Sequence, residues 1–105
     1  MARTKHDKGL ENILNNAIFK LIPDVKVVAK EVKFYTNHGL VCEPDGLIWN
    51  KDTLYIIEYK CSGKHRGKAK DQLDTADNYI KNDLGIYLPT RKYLASHKKK
   101  MEEIE

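Results

Sequence analysis

A chain of 105 residues has room for one domain, because splitting it would leave neither half enough core. It is 41% hydrophobic and 32% charged, and nineteen Lys and Arg against fifteen Asp and Glu give +4, a balance that suits an anionic partner and is equally ordinary solubility. No apolar run approaches the roughly 20 residues that span a bilayer and MARTKHDKGL lacks the apolar stretch of a secretory leader, so a cytoplasmic protein with no membrane partner is expected.

Leu10, Ile13, Leu14, Ala17, Ile18 and Leu21 recur at helical spacing. They predict an amphipathic helix over about 8–21, capped by Thr4 or Asp7 and ended by Pro23. VKVVAKEVKFY (25–35) is β-branched and aromatic and reads as one strand. TNHG (36–39) is a turn, and residues 40–49 and 54–60 form two more strands around NKDT. A glycine-flanked basic loop, SGKHRGK, leads into AKDQLDTADNYIKN, a helix on the spacing of Leu73, Ala76 and Ile80. LGIYLP (84–89) reads as a short strand. TRKYLASHKKKMEEIE reads as a helix with Leu94, Lys98 and Met101 on one side, fraying over about 98–105. The order is α-β-β-β-α-β-α, an α/β domain over 1–105 whose mixed sheet holds a central antiparallel hairpin.

Hairpin register says most about chemistry. Pairing Trp49 with Leu54, or Asn50 with Thr53, gives one register, and it sets Asp45 opposite Glu58. Opposed residues share a face with Cβ atoms about 4.5–5.5 Å apart, and Lys60, two residues on, joins that face opposite Glu43. Leu47 with Ile56 and Trp49 with Leu54 make its other end apolar. Two carboxylates so close repel unless a cation sits between them, and Mg²⁺ takes oxygen ligands and needs few protein carboxylates. The Tyr59 carbonyl is a candidate third oxygen. Pro-Asp-Gly alone is as good a turn as a site, but a turn at 44–46 would break the Trp49–Leu54 pairing, whereas Pro44 and Gly46 suit a bent strand. The same register sets Cys42 opposite Cys61; a reducing cytosol keeps both as thiols, while that of a hyperthermophile would allow a bridge.

With Pro44-Asp45 on one strand and Glu58-Tyr59-Lys60 on the next, the chain resembles the PD-(D/E)xK nuclease superfamily. Its restriction-endonuclease-like core runs α-β-β-β-α-β and covers most of the sequence. DKGLENIL looks like archaeal Holliday-junction resolvases, and EPDGLIW…IIEYK…DQL is similar to compact viral replication-repair nucleases. The resemblance implies a Mg²⁺-dependent DNA nuclease of replication, recombination or repair, with Mn²⁺ able to substitute. Its substrate would be duplex or branched DNA, and a junction-cutting form would be a homodimer. Asp45 and Glu58 would hold the metal, with Glu11 on the first helix and the Tyr59 carbonyl completing the set. Lys60 would position the attacking water, and Gln72 would steady Lys60 or a phosphate. Tyr79 lies on roughly the helical side of Gln72.

Lys64, His65, Arg66, Lys68 and Lys70 follow the end of the Lys60 strand. They are either a phosphate grip beside the cleavage site or a solvated loop. The alternative function on these residues is a non-catalytic nucleic-acid-binding module of the same fold.

Overall fold

The structure is a computed structural model and describes residues 5–60, 66–96 and 101–104. Thr4, Cys61, Lys64, His65 and His97 lie outside the described residues. No helix among the described residues is long and apolar enough to cross a membrane.

The first helix starts earlier than its apolar spacing suggests. α1 (Lys5–Asn12) passes through a π-helical turn (Ile13–Ala17) into α2 (Ile18–Leu21). Asp7, one of the expected caps, lies inside the span of α1. The strands among the described residues are β1 (Val27–Lys30), β2 (Phe34–Thr36), β3 (Gly39–Cys42), β4 (Gly46–Trp49), β5 (Leu54–Lys60), β6 (Thr90–Ser96) and β7 (Met101–Ile104). α3 (Arg66–Asn82) joins β5 to β6. The fold is α/β: a five-stranded mixed sheet in the order β1-β4-β5-β6-β7, beside a two-stranded sheet of β2 and β3.

The two long strands expected over 25–35 and 40–49 are each broken once, and they break together. Val27 to Lys30 pair with Trp49 to Gly46, and Phe34 pairs with Cys42 in continuation of the same register. Between the two arms Glu31 has a φ of 54° and its N–H donates to the Asp45 carbonyl at 3.0 Å. Pro44, with no N–H to give a ladder, sits on the opposite side of the break. The result is one bent hairpin whose proximal arm belongs to the main sheet and whose distal arm projects from it. Its tip is the expected turn, with Thr36 paired to Gly39.

The β4–β5 register is the expected one, from Trp49↔Leu54 to Gly46↔Ile57. Asn50 fixes its turn: its side-chain oxygen accepts from the N–H groups of Asp52 and Thr53 at 3.0 and 2.8 Å.

Two expectations for the C-terminal third are overturned. Residues 84–89 are not a strand. They carry the C-terminal cap of α3, with Gly85 at φ 68° and the Leu84 and Ile86 N–H groups donating to the carbonyls of Tyr79 and Ile80. Residues 90–96 and 101–104 are strands and not a helix. β6 runs parallel to β5, and β7 turns back antiparallel to it. Tyr93, Leu94 and Ala95 are all buried, Tyr93 and Ala95 toward one face and Leu94 toward the other. A strand covered on both faces reads as an unbroken apolar run, so its period of two is hidden.

Alternation divides the core. Ile48, Tyr55, Ile57 and Tyr59 pack under Leu10, Ile13, Leu14 and Ile18 of the N-terminal helices. Leu47, Leu54 and Ile56 pack under Ala69, Leu73, Ala76 and Ile80 of α3. Gly9 allows α1 to lie close to β5, because a Cβ there would stand 1.9 Å from the Tyr59 hydroxyl oxygen.

A candidate acidic site at the elbow of the bent hairpin

Glu58 follows Leu54 and Ile56 on the α3 side of β5, where the next inward position is again buried. Its side chain is 4% exposed. Asp45 precedes β4 in the register that opposes it to Glu58, and hydrogen bonds tie it to β5. The Tyr59 N–H donates to Asp45 Oδ2 at 2.8 Å, and the Asp45 N–H points to Glu58 Oε1 at 3.4 Å. Burial first, and then the neighbouring Asp45 charge, push the Glu58 carboxyl from 4.5 up to about 8, while Lys60 opposes the shift. The register therefore brings Asp45, Glu58 and Lys60 into one electrostatic neighbourhood.

In a strand the N–H and C=O of one residue point the same way. The Tyr59 carbonyl thus projects toward the Asp45 side, as a third oxygen would need to. Glu11 is half-buried on α1, which packs on the opposite sheet face, under the Leu10 and Leu14 cluster. Among the described residues no group of three or more His, Cys, Asp or Glu side chains is gathered to hold a metal ion. The register itself brings together the pair Asp45 and Glu58, and two carboxylates with waters are a normal Mg²⁺ complement.

A cavity of about 230 Å³ opens beside Glu58. Its walls include Cys42 at the end of β3, Glu43 just after it, and Lys68, Asp71, Gln72 and Thr75 from α3. These four helix positions fall at i, i+3, i+4 and i+7, one face of a helix. Gln72, expected near the site, is there, and its Oε1 is buried with no hydrogen-bond partner among the described residues. Glu43 is an exposed wall of the same cavity. Cys42 carries a free thiol, whose pKa burial and then the Glu58 charge raise. The expected pairing with Cys61 lies outside the described residues.

The basic segment is redistributed. Arg66, Lys68 and Lys70 belong to the first turns of α3 rather than to a loop. Arg66 is forked onto Glu102 of β7, at 2.7 Å from its Nη2 and 3.1 Å from its Nε. Lys70 pairs with Asp74 at 2.7 Å. Lys68 lines the acidic cavity. Tyr79 serves the fold: its ring stacks on Phe34 at 4.5 Å and its hydroxyl donates to the Tyr35 carbonyl at 2.5 Å, tying the distal arm to α3.

Sequence reasoning missed Asp71 and Thr75. The signal was available in their helical spacing from Lys68, but it needed the knowledge that this face of α3 looks at Glu58. Compared with models of known families and with curated proteins, the chain matches none.

Proposed function

We propose that the protein is a Mg²⁺-dependent nuclease that hydrolyses DNA phosphodiester bonds at Asp45 and Glu58. The observation that carries this reading is the opposition of those two carboxylates across consecutive strands, with Glu58 buried and its pKa raised to about 8. A buried like-charged pair is costly to keep without a purpose, and strongly shifted groups lining a cavity mark functional sites. The resemblance to the PD-(D/E)xK superfamily supports the same assignment. So does the chain order, in which the hairpin is followed by α3 and a parallel strand.

The donor set fits a hard divalent ion, since two oxygen acids that repel each other are relieved by a cation between them. A bound Mg²⁺ would polarise the phosphoryl oxygens and lower the pKa of a coordinated water. The chain's own groups do the rest. Asp45 is oriented by the Tyr59 N–H. Lys60 shares the strand face of Glu58, where its ammonium holds the attacking water and offsets charge building on the phosphate. Gln72 presents a buried acceptor to whatever donor enters the cavity.

The test incubates labelled linear duplex, single strand, flap and four-way junction with Mg²⁺ or EDTA, beside Lys60→Ala. Cutting that needs Mg²⁺ and disappears in the variant supports the assignment. No metal-dependent cutting of any substrate removes it, and binding that survives EDTA would then favour the non-catalytic module.

A further inference from the structure

The acidic cavity does not end at Thr75. A second cavity of about 290 Å³ adjoins it, sharing Val41 and Thr75 as walls and continuing past Thr36, Asn78 and Tyr79 to Asn82 and Asp83. Together they form a groove between α3 and the distal hairpin arm. Lys68, Gln72, Thr75, Asn78 or Tyr79, and Asn82 follow one helical face, so the groove runs along about 21 Å of α3.

Its chemistry is unusual for a polyanion track. Among the described residues that line it, Glu43, Asp71 and Asp83 stand against one ammonium, Lys68, at the end nearest Glu58. Arg66 and Lys70, the other described cations of that helix end, are engaged with Glu102 and Asp74. A wall of this kind repels phosphates. It matches base edges instead: carboxylates accept from exocyclic amino groups, and Asn amides both donate and accept. Those edges are presented to a protein groove by an unpaired strand, whereas in a duplex they are engaged in pairing.

We propose that this groove takes an unpaired polynucleotide strand with its bases turned toward α3 and its phosphates outward, Lys68 receiving the phosphate that approaches Glu58. The proposal rests on the nuclease reading for what happens at Glu58, but the binding it describes stands or falls separately.

The test measures binding by fluorescence anisotropy, in EDTA and with the Lys60→Ala protein in Mg²⁺. The probes are an end-labelled single-stranded 12-mer, as DNA and as RNA, and the same sequence as blunt duplex. The single strand is expected to bind at least about tenfold tighter than the duplex. Few phosphates are neutralised, so log affinity should fall with log salt at a slope of about −2 or shallower. Asn78→Ala/Asn82→Ala removes two exposed amides and their base hydrogen bonds without touching the core, and should weaken single-strand binding by about tenfold. Equal or tighter binding of duplex, or a double variant that binds the single strand as wild type does, overturns the proposal. Single-strand binding without metal-dependent cutting would sink the nuclease assignment and leave the groove standing. Efficient cutting of duplex or junction with no single-strand preference would do the reverse.

Discussion

The Tyr59 N–H donates to Asp45 Oδ2 at 2.8 Å, so a residue of β5 orients the acid contributed by the neighbouring strand. This separates the structural and electrostatic roles of Asp45. Asp45→Asn keeps an acceptor for the Tyr59 N–H and removes the charge. It should lower the Glu58 carboxyl from about 8, read by ¹³C chemical shift against pH, and abolish cleavage. Asp45→Ala leaves the Tyr59 N–H without that acceptor and should unfold earlier in urea than Asp45→Asn, by about 1 kcal/mol. Equal stability of the two variants would show that the bond contributes nothing.

The raised Glu58 carboxyl also sets a pH profile. The folded state holds this proton more tightly than the unfolded chain, so the contribution is fully present below about 4.5 and is lost as pH rises through about 8. Thermal melts in EDTA should therefore show stability falling across that window. Glu58→Gln should flatten the fall, and Mg²⁺ should raise the melting temperature of the wild type at pH 9 but not that of the variant. A profile unchanged by Glu58→Gln would place the titration elsewhere.

Gly9 matters through what lies beneath it. An added Cβ would meet the Tyr59 ring at 2.2 Å as well as its hydroxyl oxygen, and Tyr59 is wedged in the core. Gly9→Ala should destabilise the fold by about 1–3 kcal/mol, the usual range for overpacking, despite the better helix propensity of alanine. Urea denaturation is the measurement, and a stabilised variant would mean that α1 lifts away from β5 at little cost.

Among the cations at the start of α3, Lys68→Ala should weaken substrate binding and slow cleavage, because Lys68 shares the cavity with Glu58. Arg66→Ala should leave cleavage nearly unchanged, because its guanidinium is committed to Glu102 on β7. Initial rates at low salt distinguish the two. A larger effect at Arg66 would mean that its ion pair opens to receive the substrate.

The site was legible where local rules fix geometry. A four-residue connection and the apolar pairs Trp49–Leu54 and Leu47–Ile56 leave one register, and that register alone brings Asp45 to Glu58. The bend was half legible: Pro44 announced it, but nothing local marks Glu31 for a positive φ. The C-terminal third was not legible. Leu94 and Ala95 are good helix formers, and what makes a strand of them is burial between β5 and β7, a tertiary fact. Gly85 is a proper sign of a helix cap, but its apolar neighbours Leu84, Ile86 and Tyr87 mimic a strand. Glu11 shows a related limit, since helical spacing gives its face on α1 but not the side of the sheet on which α1 lies.

The joint between the two hairpin arms has a mechanical meaning. The peptide carrying Asp45 is held by Glu31 where the distal arm departs, and that same arm is fastened to α3 through Tyr79. A swing of the arm that widens the channel must rotate this peptide, and with it one of the two carboxylates. The setting of Asp45 and the anchorage of the distal arm thus share a single pivot.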